Sequence, residues 1–133
     1  MSRPARKRPS LNGVRVLLVE DHEDTREVVA YSLQACGATT VGAGSAEAAL
    51  VEAQRSAFDV VVADLGLPDR DGIWLVEEMR ARGMTMTAIA MTGLVGDDMK
   101  ARCVAAGFVA FMKKPADVDL LCHAIAGLVR HAE

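Results

Sequence analysis

The stretch "FDVVVADLGLPDRDG", residues 58–72, sets an unbroken apolar run, Val60–Ala63, directly against a polar loop. β-Branched residues without polar alternation describe a strand buried on both faces, and such strands belong in a parallel sheet covered by helices on each side. Asp64 follows the run immediately. A lone carboxylate at the rim of a hydrophobic core costs free energy unless something neutralises it. The stretch therefore implies an architecture and poses a chemical question.

The same alternation extends in both directions. "VRVLLV" (14–19), "ATTVGA" (38–43), "FDVVVA" (58–63), "MTAIAM" (86–91) and "FVAFMK" (108–113) read as strands. Between and after them, residues 23–36, 45–55, 71–83, 97–107 and 117–132 carry apolar residues at helical spacing, with Ser45 as an N-cap and Gly37 as a helix stop. Five strand–helix repeats with right-handed crossovers predict an α/β, doubly wound (βα)5 sandwich around a five-stranded parallel sheet. The flavodoxin-like order 2-1-3-4-5 is the natural expectation.

The chain has 133 residues, enough for one domain with a proper core. Hydrophobic residues make up 51% and aromatic residues only 4%, which describes a core of Ala, Val and Leu. The net charge is −3, and Arg3, Arg6, Lys7 and Arg8 place +4 in the first ten residues, leaving −7 on the rest. An acidic body argues against a nucleic-acid-binding surface. Residues 1–12, basic and bearing Pro4 and Pro9, read as a disordered tail ahead of a domain spanning 13–132. No apolar run reaches the roughly 18 residues of a membrane span, and no signal-peptide core follows the basic start. Cys36, Cys103 and Cys122 lack metal-site spacing and read as free buried thiols. The expected setting is the cytoplasm, with no membrane partner.

In a doubly wound sheet the functional site lies beyond the carboxyl ends of the strands. The residues there are Glu20 and Asp21, Asp64, Thr92, and Lys114 followed by Pro115. Asp21, Asp64, Thr92 and Lys114 are separated by 43, 28 and 22 residues. A strand–helix unit takes roughly 20–25 residues, so the separations correspond to two units, one and one. Glu20, Asp21 and Asp64 then crowd into one crevice at the switch point. Crowded carboxylates repel unless a cation joins them, and oxygen-only donors select a hard divalent ion, with Mg²⁺ expected. Carboxylates, Mg²⁺, an ammonium and a hydroxyl suit phosphoryl transfer, with Asp64 as the nucleophile. Each residue alone has an ordinary reading: Asp21 or Asp64 as a helix cap, Thr92 as turn chemistry, Lys114 as a solvated charge. Coincidence at four strand ends out of five outweighs those readings. His22, a single imidazole beside the site, reads as incidental. Trp74 is expected at the margin of the core.

"VLLVEDHEDTRE", "VVADLGLPDRDG", "AIAMTG" and "FMKKP", in this order and spacing, resemble the receiver domain of bacterial two-component response regulators. The resemblance runs from about residue 14 to 131. It implies that Asp64 accepts a phosphoryl group from a histidine kinase or histidine phosphotransfer protein. It also implies Mg²⁺ held by Asp64, by Asp21 directly, by Glu20 through water and by the Gly66 backbone carbonyl. Thr92, Gly93 and Lys114 would contact the phosphoryl group, and Lys114–Pro115 would be a cis bond. Thr92 and Phe111 would form the switch, altering a face made by the fourth helix, fifth strand and fifth helix, where a downstream protein binds. Homodimerisation on phosphorylation is left open.

Three features depart from the commonest pattern: Glu20 replaces an Asp, Phe111 lacks a hydroxyl, and Gly66 and Leu94 offer no polar side chain to orient an attacking water. Slow autodephosphorylation is therefore expected. The chain ends about where the fifth helix should, so the reading is a phosphoacceptor rather than a turnover enzyme, without a DNA-binding domain. "HEDTREVV" resembles receivers joined to hybrid sensor kinases, so excision from a longer protein stays open beside a stand-alone or phosphorelay role. A remote alternative, an aspartate-nucleophile phosphatase, needs an acid pair after the first strand of the form DxD, and position 23 is Glu.

Overall fold

The computed structural model describes residues 8–93, 96–114 and 117–132. Strands and helices alternate as β1 (Arg15–Val19), α1 (Glu23–Ala35), β2 (Thr39–Ala43), α2 (Ala46–Arg55), β3 (Val60–Asp64), α3 (Gly72–Ala81), β4 (Thr87–Thr92), α4 (Asp97–Ala106), β5 (Phe108–Lys113) and α5 (Val118–Ala132). All pairings are parallel and the strand order is β2-β1-β3-β4-β5, as expected for a flavodoxin-like sandwich.

The apolar runs explain the two layers. Along β1, Leu17 and Val19 enter one core cluster while Val16 and Leu18 enter the other, because successive side chains leave opposite faces of a strand. The first cluster receives α2, α3 and α4 through residues such as Leu50, Leu75, Met79 and Cys103. The second receives α1 and α5 through Val29, Leu33, Leu121, Cys122 and Ile125. Every residue of β3 is buried, so this strand forms the centre of both cores. β5 is the exception to simple pairing: the register shifts between Ala88 and Ile89, and Val109 is left exposed between Phe108 and Ala110. This bulge sends Phe108 and Phe111 to the same core cluster.

Helix ends follow local chemistry. The Ser45 side chain accepts from the Ala48 N–H at 3.1 Å, and Asp71 accepts from the Trp74 N–H at 2.7 Å. Gly107 closes α4 at φ +123°, a left-handed conformation that a side chain would disfavour. Two boundaries differ from expectation in a way that concerns function. Asp64 and Thr92 are the last residues of their strands rather than the first residues beyond, because Asp64 pairs with Met91 and Thr92 with Lys113. Leu11, expected in the tail, is fully buried in the α1–α5 core, and its N–H donates to the Cys36 carbonyl at 2.7 Å. A single apolar residue in a basic, Pro-bearing stretch gives no periodicity from which to foresee this.

Candidate functional site

Four strand ends converge at the carboxyl edge of the sheet. β1 runs into Glu20, whose N–H donates to the Ala43 carbonyl at 3.0 Å, carrying the β1–β2 pairing one residue further. The Glu20 carbonyl in turn accepts from Arg26 Nη1 at 2.8 Å. Arg26 reaches it by crossing Gly42 and Gly44, where a Cβ would lie 3.1 Å from the arginine side chain. Glu20 is almost fully buried, whereas Asp21 is exposed. At the end of β3, buried Asp64 accepts from the Gly66 N–H through Oδ1 at 3.1 Å. Lys114 leaves β5 with its N–H donating to the Thr92 carbonyl at 2.8 Å, so the exits of β4 and β5 are tied together.

Lys114 Nζ donates to Asp64 Oδ2 at 2.5 Å and to Glu20 Oε2 at 2.9 Å. Glu20, Asp21 and Asp64 each offer an oxygen within 4.8 Å of the others. Burial pushes the Glu20 carboxyl above its ordinary value, and neighbouring Asp64 adds to the shift against the opposing pull of Lys114. Burial works against the Lys114 ammonium, but its bonds to Asp64 and Glu20 outweigh this and hold its pKa up. One ammonium against three carboxylates leaves a charge deficit of about two. Hard oxygen donors with that residual charge fit a divalent cation such as Mg²⁺.

Neither Asp21 nor Asp64 acts as a helix cap. The N-cap of α1 is His22, which makes no side-chain capping bond, and that of α3 is Asp71. Glu20, Asp21, Asp64 and Lys114 thus come together as the spacing implied. Thr92 and exposed Gly93 sit beside them at the end of β4, and Gly66 at the mouth. Phe111 is half-buried at the edge of the first core cluster, with the Lys100 ammonium 5.8 Å from its ring centroid. Pro115, and with it the cis bond expected after Lys114, and Leu94 lie outside the described residues. Trp74 packs at the core margin beneath the Arg70 guanidinium, 4.9 Å from the ring centroid.

Two supporting residues escaped sequence reasoning. Asp69 accepts from the Ala46 and Glu47 N–H groups, each at 2.9 Å, and so caps α2 from the loop that follows Asp64. Its partners are 22 and 23 residues away, and no local pattern signals them. Arg26 had a weak signal in the glycines at 42 and 44, which leave room for a long side chain. Gly72 closes the same loop: its N–H donates to the Leu65 carbonyl at 2.9 Å, and a Cβ there would lie 2.6 Å from the Asp64 carbonyl oxygen.

Among known proteins, the family described as "Response regulator receiver domain" matches residues 16–126. The sensor histidine kinase RcsC of Salmonella typhimurium is 28% identical over 117 residues, covering 88% of this chain. The chain spans only 12% of the length of that kinase. A 14.6 kDa uncharacterized protein of Leptolyngbya boryana is 31% identical over 104 residues, covering 77% of this chain and 79% of that protein. The crystal structure of the Vibrio cholerae chemotaxis protein CheY4 superimposes with a TM-score of 0.82 at 25% identity, covering 86% of this chain and 97% of the other.

Proposed function

The chain belongs to the response regulator receiver domain family, and from that premise we propose that Asp64 is the acceptor in a phosphorylation-driven signalling switch. The observation that carries this assignment is the Lys114 ammonium bonded at once to Asp64 and Glu20 at the carboxyl edge of the sheet. In the transfer, an Asp64 carboxylate oxygen attacks the phosphorus of a phosphohistidine on a histidine kinase or phosphotransfer protein. The P–N bond breaks, its electron pair stays on the ring nitrogen, and the histidine leaves as neutral imidazole carrying the proton already on its other nitrogen. Lys114 holds the carboxylate in place and offsets charge on the arriving phosphoryl oxygens. The Gly66 N–H fixes the other carboxylate oxygen. Asp21, Asp64, the Gly66 carbonyl and Glu20 would hold Mg²⁺, which would supply further charge neutralisation. Thr92 and Gly93, at the neighbouring strand end, contact the phosphoryl group.

The readout is conformational rather than catalytic. The Thr92 hydroxyl moves toward the phosphoryl oxygens, and Phe111, already at the core edge, turns into the space released. The surface of α4, β5 and α5 changes with it, and with it the affinity for a downstream protein. The likeness to RcsC favours a second setting, in which this unit serves within a larger sensor kinase. Among the described residues no helix is long and apolar enough to cross a membrane.

Incubation with acetyl phosphate and Mg²⁺ tests the assignment by mass shift. A single acid-stable, base-labile phosphate is expected, lost entirely in Asp64→Asn. Label that persists in the variant, or steady phosphate release over many turnovers, overturns it. With glycine at 66 there is no side chain to direct water onto the acyl phosphate, so the labelled form should persist for minutes or longer. A half-life of seconds refutes that persistence.

A further inference from the structure

Two of the three cysteines meet on the side of the sheet covered by α1 and α5. Cys36 is the C-cap of α1 and partly buried, and Cys122 lies fully buried in α5. Their sulfurs are 3.4 Å apart although the residues are 86 positions apart in sequence. Cys103 is buried in the cluster on the opposite face of the sheet. We infer that Cys36 and Cys122 form an oxidation site, in which a peroxide converts the pair to a disulfide that ties α5 to α1.

The geometry suits the chemistry. A disulfide needs its sulfurs at about 2.0 Å, so the pair must close by about 1.4 Å from the existing 3.4 Å contact. Cys36 is the sulfur that a small oxidant reaches first. Burial pushes the Cys122 thiol up to about 12, which makes it a poor first nucleophile but leaves it placed to complete the bond. Arg8 pairs with Asp119 on the same helix as Cys122.

The step balances with hydrogen peroxide as the oxidant. The Cys36 sulfur attacks one peroxide oxygen, the O–O bond breaks, and one water leaves, giving a sulfenic acid. The Cys122 sulfur then attacks the Cys36 sulfur, the S–O bond breaks, and a second water leaves. Two electrons pass from the two thiols to the peroxide, and both thiol protons end in water. A dithiol reverses the reaction by exchange. The link would restrain α5 against α1, so an oxidised chain and a reduced chain would present different freedom at the α5 surface. This inference stands independently of the phosphoacceptor assignment.

The full chain, reduced and then treated with a few-fold excess of hydrogen peroxide, provides the test. The thiol count under denaturing conditions should fall from three to one, with no covalent dimer formed. Peptide mass mapping should give one Cys36–Cys122 pair two hydrogens lighter than the free peptides. Dithiothreitol should restore three thiols. The oxidised form should melt higher by on the order of 10 °C, since the link closes a long loop in the unfolded chain. Cys103→Ser should behave like the parent, whereas Cys36→Ser and Cys122→Ser should give no intramolecular link. Retention of all three thiols, sulfinic acid at Cys36 without a link, an intermolecular disulfide, or a link involving Cys103 each overturns the inference.

Discussion

Lys114 resolves the problem that Asp64 poses at the mouth of β3. Glu20 and Asp64 are both buried, and each accepts a hydrogen bond from the same ammonium. Removing that ammonium leaves two carboxylates facing each other in a poorly solvated crevice, so at least one must take up a proton or draw in a cation. Lys114→Ala should therefore lower the stability of the metal-free protein by roughly 1–3 kcal/mol. Urea unfolding with and without Mg²⁺ measures this, and Mg²⁺ should recover more stability in the variant than in the parent. A variant as stable as the parent without metal would show that the ammonium is not neutralising the pair. The group's raised pKa gives the sign of its pH dependence: its contribution is fully present below the ordinary lysine value of 10.5 and is lost as pH rises through the folded value.

The loop between β3 and α3 connects the acceptor to the rest of the fold. Asp69 uses both carboxylate oxygens on the first turn of α2, and Gly72 lets the chain return against the Asp64 carbonyl. Slight burial works against the Asp69 charge, but the N–H groups of Glu47, Ala46 and Arg70 outweigh it and hold the carboxyl below its ordinary 3.8. A folded pKa below the unfolded one means that this stabilisation is present above 3.8 and is lost as pH falls through the folded value. Asp69→Ala should cost roughly 1 kcal/mol at neutral pH, the usual loss for a helix cap. The deficit should shrink toward zero in strong acid, as read by urea midpoints across a pH series. A deficit that holds constant down to low pH would mean that the charge is not responsible.

Across the whole molecule, the two cores differ in what closes them. The α2–α3–α4 side is filled by residues of the alternating elements, while the α1–α5 side also takes in Leu11 from the segment ahead of β1. Leu11→Ala should cost about 2–4 kcal/mol as a buried large-to-small change, whereas Arg8→Ala, breaking an exposed pair with Asp119, should leave stability almost unchanged. Thermal unfolding of the two variants gives the comparison, and equal effects would show that the segment is held by charge rather than by burial. Much was settled by sequence alone, because its signals are local. Unbroken apolar runs force strands buried on both faces, helical spacing supplies the covering layers, and regular strand–helix lengths bring Glu20, Asp21, Asp64, Thr92 and Lys114 to one edge. Tertiary structure decided what depends on side chains meeting from distant parts of the chain. Lys114 bridging two particular carboxylates, Asp69 capping a helix 22 residues upstream, Leu11 entering the core and Cys36 touching Cys122 are all of that kind. Periodicity fixes which face a residue takes; which atoms it reaches there is fixed only when the layers pack.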